Sequence, residues 1–402
     1  MPIPRYRPHN GAALFSAGFR PFFLCAAAWS ALAIPLWLMT YAGAATVPTA
    51  LAPAVWHVHE MIFGYGAATV AGFMLTAIPN WTGRMPLQGG PLVLLVALWF
   101  LGRLAVLVSA RIDDAQFAAI CDLAFPLVFI AVVAREIAVG RNWRNLPMLA
   151  ALALLFAGNA LVHAEALGWS TTAALGNRLG MATLLMLISL VGGRIVPSFT
   201  RNWLVKYEPG ATTPASFNAI DRLALALTAL ALVMWIAAPD TTFAATAEFA
   251  AGLALAVRLV RWRGGGAWRE PLVLVLHVGY GWLALGFTLL ALSRVAPSLP
   301  PTAALHALTA GAIGTMTLAV MTRASLGHTG RALTAGSGTI AIYVLVNLSA
   351  LLRLMAPFGG SQYLLLLSLA GTAWVAAFGL FVLIYTPALT QPRVAGGVVR
   401  PA

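Results

Sequence analysis

Charged side chains are what this sequence lacks most. Only 9% of its 402 residues are Asp, Glu, Lys or Arg, while 61% are hydrophobic. A soluble globular domain carries about 25% charged residues, so there is too little polar surface here to cover a body of this size in water. The mean hydropathy of +0.88 agrees. Cysteine is nearly absent as well. Cys25 and Cys121 each lack a neighbouring thiol that would complete a metal–thiolate pair. The topology derived below puts them near opposite membrane faces, beyond the reach of a disulfide. Also missing are a glycine-rich phosphate loop, H-E-x-x-H, C-x-x-C and C-x-x-C-H. These absences argue against a P-loop nucleotidase, a zincin-type protease and covalently attached haem. Acidic residues number 11 against 24 basic ones, a formal net charge of +13. On a soluble chain that excess would suggest nucleic acid. Here the basic residues fall between apolar runs, where they read as signals of membrane orientation. No small-residue cleavage pattern follows the first apolar run, which therefore reads as a retained span and not as a signal peptide.

What is present is a succession of long apolar runs. A spanning helix takes about 20 apolar residues. Such runs fall at 21–41, 55–79, 91–110, 116–138, 146–167, 177–199, 219–238, 243–262, 271–293, 301–322, 337–356 and 363–386. The expected fold class is all-α: a polytopic integral membrane bundle of about twelve transmembrane helices, one membrane domain over 1–402, with lipid as its solvent. Proline and glycine punctuate the joints, as at Gly89-Gly90-Pro91, Gly264-Gly265-Gly266 and Pro300-Pro301. The longest connection, about 200–218, is the place for a short surface helix. With a cytoplasmic N-terminus, only Arg103, Arg111, Arg178, Arg294 and Arg353 of the 24 basic residues lie at outer ends. That bias predicts both termini on the cytoplasmic side and an even number of spans.

Ionisable groups in lipid are costly, so they are functional candidates by default. His9 belongs to the N-terminal tail and reads as solvated. The topology places His57 and His59 just inside the outer end of the second span, His163 near the outer end of the fifth and His306 near that of the tenth. At 1.5 Å per residue, all four lie within about 10–12 Å of the periplasmic boundary. Shared depth favours a ligand cluster over four separately packed side chains, because neutral imidazole is the commonest metal ligand and a usual axial ligand of haem iron. His57 and His59 are two positions apart and point to opposite sides of their helix, so they serve two centres or one helix is distorted. Glu60 and Glu165 stand beside His59 and His163. Each either orients an imidazole and passes a proton or faces interfacial water. His277 lies deeper, as a facing ligand or a packed side chain. His328 sits in the loop after the tenth span with Arg323 and Arg331, too far from His306 to share a site. Gly311 and Gly314 either let helices pack closely or leave room for a flat macrocycle.

Five blocks carry a family resemblance. They are GFRPFFL at 18–24, WHVHEMIFGYGAATVAGFMLTAIPNWTGR at 56–84, GGRIVPSFTRNW at 192–203, LHVGYGWLALG at 276–286 and HALTAGAIGTMTLAVMTRASLGHTGR at 306–331. The chain resembles the NnrS family of bacterial inner-membrane proteins, from about residue 12 to the last span. The resemblance implies a protein that contains haem, non-covalent and b-type, and copper, and that handles nitric oxide in protection from nitrosative stress. It carries the family's histidines over to His57, His59, His277, His306 and His328, with His163 also similar, without assigning haem iron or copper to any of them. Reduction of nitric oxide would need an electron donor, a quinol or redox protein, that this sequence does not encode. Two other readings stay open: a metalloprotein that binds nitric oxide without turnover, and a secondary transporter. The transporter predicts ionisable groups at mid-membrane and half-to-half repeats, neither of which is obvious in the sequence.

Overall fold

The computed structural model describes residues 11–112 and 114–394; His9 lies outside them. The described residues form helices and no strands, and twelve helices are long and apolar enough to cross a membrane. They are α1 (Phe19–Tyr41), α2 (Pro53–Thr82), α3 (Gly90–Val108), α4 (Ala115–Val139), α5 (Trp143–Ala166), α6 (Ala173–Tyr207), α7 (Ala219–Ala237), α8 (Thr242–Val260), α9 (Pro271–Leu292), α10 (Pro301–His328), α11 (Ser337–Phe358) and α12 (Gly360–Thr390). The protein is a multi-pass membrane protein. Proline opens α2, α9 and α10, where its missing N–H costs nothing. Asp114, Asn218 and Thr241 cap α4, α7 and α8 by accepting backbone N–H groups.

The sixth span differs from its expected bounds. It continues to Tyr207, so the surface helix expected within 200–218 is the end of α6. Val196, Thr200 and Leu204 are buried there at four-residue spacing, while Arg194, Arg201 and Lys206 are exposed.

The chain divides into two compact units. The first holds the residues up to Gly180, Met321–Leu333 and those from Phe378 onward; the second holds Met181–Val320 and Thr334–Ala377. In the first, Phe22 and Phe23 of α1 are fully buried, and a Cβ on Gly72 of α2 would stand 2.6 Å from the Phe23 ring. Only glycine lets these two helices approach so closely. In the second unit, Arg258 of α8 is buried and pairs through Nε with Asp221 of α7 at 2.9 Å. Its Nη1 donates to the Ser189 carbonyl and the Tyr280 hydroxyl, both at 2.9 Å.

Three spans contain π-helical turns, at Glu60–Gly66, Ile188–Gly192 and Ala307–Gly314. An inserted residue of this kind leaves local carbonyls without helical donors and re-aims the side chains that follow. The segments in α2 and α10 are built alike. Each begins with proline, reaches a histidine (His59, His306) and enters its π turn at the next residue. The run from His59 to Thr82-Gly83-Arg84 has the same length as that from His306 to Thr329-Gly330-Arg331. Gly83 and Gly330 both turn left-handed, at φ +69° and +76°. This correspondence, together with ion pairs inside the spans, escapes a search for half-to-half similarity in the residues alone.

Some of the basic residues counted as orientation signals have inward work. Arg20 is 3% exposed, and its Nη1 donates to the carbonyls of Leu389 at 2.9 Å and Gln391 at 2.7 Å, with Ala388 at 3.3 Å. These are orphan acceptors at the C-terminus of α12, where a cation also opposes the helix dipole. Arg20→Ala is expected to fray that end at a cost of about 1.5–3 kcal/mol. Hydrogen exchange measures it: amides of the last turn of α12 should exchange faster while the middle of α12 stays protected. Unchanged exchange there would show that Arg20 does not hold the end.

Candidate metal centre

The first unit gathers a buried polar group from five helices. His59 closes the regular part of α2, and Glu60 begins its π turn. Trp29 comes from α1, Arg103 from α3, Asp122 from α4, and Asn159 and His163 from α5. Asn159 and His163 are four residues apart and share one helix face. A Cβ on Gly102 would stand 2.8 Å from the Asp122 Cα, so glycine there lets α3 and α4 close on each other. His59 and Glu60 are 0% exposed, Arg103 1%, and Asp122, Asn159 and His163 3% each.

The hydrogen bonds define an order. His59 Nδ1 lies 3.0 Å from Glu60 Oε1. Glu60 Oε2 accepts from Trp29 Nε1 at 2.7 Å and from Arg103 Nη1 at 2.6 Å. The other arm of Arg103 pairs with Asp122 Oδ1. Asp122 Oδ2 accepts from Asn159 Nδ2 at 2.8 Å and faces His163 Nε2 at 2.9 Å and His59 Nε2 at 3.1 Å. Asn159 Oδ1 stands 2.8 Å from His59 Nε2. The π turn is part of this arrangement, since the Gly64 carbonyl accepts from Trp99 Nε1 at 3.0 Å.

Two arguments show that this group is one positive charge short. The first is tautomeric. His59 Nδ1 faces a carboxylate and so carries a proton. In a neutral ring Nε2 is then a bare lone pair. It faces Asp122 Oδ2 and Asn159 Oδ1, which are both acceptors. Reversing the Asn159 amide would give His59 Nε2 a donor but set the amide oxygen against Asp122 Oδ2, which only moves the mismatch. The second is charge. Two carboxylates and one guanidinium, all on residues 0–3% exposed, leave one net negative charge, which is costly in a low-dielectric interior. A proton on His59 or a metal cation resolves both.

The donor set fits a cation. His59, Asp122 and His163 each offer an atom, all within 4.8 Å of one another; Asn159 Oδ1 supplies a fourth. Glu60 behind the His59 Nδ1–H completes the carboxylate–histidine–metal arrangement that orients ligating imidazoles. Imidazole nitrogen with oxygen suits copper, zinc, iron or nickel. The same place does not fit a haem. The cavity that reaches Asp122 and Asn159 is about 20 Å³, whereas sites for molecules of cofactor size run to about 300–1,000 Å³.

The other histidines lie elsewhere. His57 is on the opposite side of α2 from His59, stacked on Trp37 at 4.2 Å between ring centroids. His328 is not in a loop after the tenth span: α10 continues through it as its last residue, and it packs against Phe19 at 5.5 Å. In the second unit, His277 Nε2 is 2.8 Å from Thr200 Oγ1, and its ring lies under Gly264, where a Cβ would come within 2.5 Å of Nδ1. His306 Nδ1 donates to its own helix at Thr302 O, 2.7 Å away. The glycines after His306 are filled, not open. A Cβ on Gly311 or Gly314 would stand 2.6 Å from the rings of Trp282 and Trp374, so helix packing uses the space that a macrocycle would need. Glu165 accepts from Ala173 N at 2.7 Å and closes the turn into α6.

Arg103, Asp122, Asn159 and Trp29 were not singled out in the sequence. Arg103 was counted among outer-end charges, yet it is buried between two carboxylates. The signals were there. Asp122 interrupts the apolar run AAICDLAF, and Asn159 precedes His163 by one helical turn.

These features define a class: a polytopic helical membrane protein whose buried His/Asp group fits a metal ion. The family model described as NnrS protein matches residues 13–393, so the chain belongs to the NnrS family. No curated protein matches it.

The geometry makes Gly64 sensitive. A Cβ there would stand 2.8 Å from Glu60 Oε2 and 2.9 Å from Arg103 Nη1 and Trp29 Nε1. Gly64→Ala is expected to pry this contact apart and to cost about 1–3 kcal/mol. Thermal unfolding in detergent should show a lowered midpoint, and a midpoint equal to that of the parent would mean the network is looser than drawn.

Proposed function

We propose that this protein is a copper-binding protein of the bacterial inner membrane that handles nitric oxide, with the metal held by His59, His163, Asp122 and Asn159. The observation that carries the reading is that His59 Nε2 faces two oxygens, Asn159 Oδ1 at 2.8 Å and Asp122 Oδ2 at 3.1 Å. A monovalent cation restores neutrality, whereas a divalent one leaves an excess charge, so among the metals that imidazole suits copper, which has a +1 state, can balance the group. Family membership supports copper and the link to nitric oxide.

When bound, copper would supply a coordination position for nitric oxide and one electron. The chain's own residues do the rest. Arg103 fixes both carboxylates, Glu60 holds the His59 Nδ1–H, and the surrounding aromatic rings keep bulk water away. Reduction consumes a proton and an electron for each nitric oxide. His59 and Glu60 form a pair through which a proton can reach the centre, and the electron must come from a quinol or redox protein. Haem, which the family also implies, is not accommodated at this centre, and no step here depends on it.

Two further readings differ in what the centre does. Binding without turnover would make the protein a sensor or a sink. The matching α2 and α10 segments favour a transporter more than the sequence did, but side chains at 0–3% exposure suit a resident metal better than a passing ion. Anaerobic nitric oxide consumption by copper-loaded protein with a quinol separates the first two, since the sensor reading predicts stoichiometric binding alone.

Titration of metal-free protein with copper(I) against a competing chelator tests the site itself. One copper per chain is expected. His59→Ala and His163→Ala should each weaken binding by at least about tenfold, while His328→Ala should not. Retention of tight binding in the His59→Ala/His163→Ala double variant would remove copper from this centre.

A further inference from the structure

A small cavity touches the buried group on its oxygen side. Its lining is Phe63, Ala67, Val70, Phe125, Pro126, Phe129, Leu152 and Leu155, and its only polar contributors are Asp122 and Asn159. The volume is about 20 Å³, room for one molecule of about the size of water. Asp122 and Asn159 make its inner end polar, while the rest of the lining is apolar.

The position of the cavity says how it is reached. Phe125, Phe129, Leu152 and Leu155 are buried, whereas Ala67, Val70 and Pro126 are half-buried. All three of these rim residues fall in the middle third of their spans, α2 and α4. A surface at that depth meets hydrocarbon. Whatever passes the rim must be soluble in lipid and small, which excludes ions and favours a diatomic gas. Pro126 also shapes the inner end. Lacking an N–H, it deprives the Asp122 carbonyl of its helical donor, so α4 is locally open beside the carboxylate that faces both imidazoles.

We propose that this cavity is a lateral port through which a non-polar molecule of diatomic size reaches the His59–Asp122–His163 centre directly from the bilayer. Phe125 and Phe129, stacked with 2° between their planes and centroids 6.0 Å apart, form one wall. Ala67 is the narrowest gatepost in side-chain volume. The proposal rests on the reading of that centre only for what the molecule meets at the end; the port is a property of the helices.

Dioxygen is a suitable paramagnetic probe of the full chain in lipid nanodiscs. Under dioxygen pressure, the Leu155 methyls should relax several-fold faster than those of Val162, which is 0% exposed on the same helix. Ala67→Trp should abolish the difference. If that variant does not fold, Val70→Phe obstructs the same rim. Equal relaxation of Leu155 and Val162 in the parent protein, or full enhancement in a folded obstructed variant, would overturn the port. A second arm uses carbon monoxide on copper(I)-loaded protein. The obstructed variant should bind it several-fold more slowly at unchanged copper content, and an unchanged rate would contradict the port. A chain that takes up no copper would remove the metal centre, and dioxygen relaxation would still decide the port.

Discussion

Everything distinctive in the first unit follows from Arg103 facing two carboxylates inside a bundle of apolar helices. A guanidinium has a flat fork of donors and cannot shed its charge, so burying it obliges the fold to deliver acceptors. Glu60 from α2 and Asp122 from α4 arrive on separate arms. Their remaining oxygens then need partners. Trp29 and His59 serve Glu60; Asn159, His163 and His59 gather on Asp122. Because two acids answer one base, the chain stops one positive charge short, and the shortfall is concentrated at His59 Nε2. Removing Arg103 would leave two buried acids facing each other, an arrangement more costly than any single lost hydrogen bond.

The π turns give this network its register. In an unbroken α-helix the chain after Glu60 would rotate Gly64 away from Trp99 and bring a different residue towards Arg103. The Gly64 carbonyl accepts from Trp99 Nε1 as well as from the Ala67 N–H, and Arg103 Nη1 and Trp29 Nε1 occupy the space a Cβ would fill. The same device after His306 in α10 is filled by the indoles of Trp282 and Trp374 and lacks the acids. Two segments of similar build thus carry different contents, one polar and one packed.

Much of the fold was legible in the residues because lipid imposes a simple rule, that backbone polar groups be satisfied within each segment. Twelve apolar runs therefore became twelve helices, with edges off by a few residues. The tail of α6 was missed because its amphipathic pattern reads as a separate surface helix. The site was legible in part. Histidines announce themselves by chemistry, and depth sorts them, but depth cannot say which side of a helix faces which neighbour. His57 and His59 share a depth and end on different faces. Asp122 and Asn159 do not stand out in the sequence, since their meaning depends on three helices arriving at one point. Arg103 was misread because a charge near a helix end satisfies the orientation rule whether it points outward or inward.

The central claim is that a single copper sits between two imidazoles of the first unit. X-ray absorption on copper-loaded protein tests it most directly. The account predicts a shell of nitrogen and oxygen without sulfur, with outer-shell scattering from two imidazole rings that disappears in the His59→Ala/His163→Ala double variant. Sulfur scattering, or an imidazole signal that persists in that variant, would contradict it.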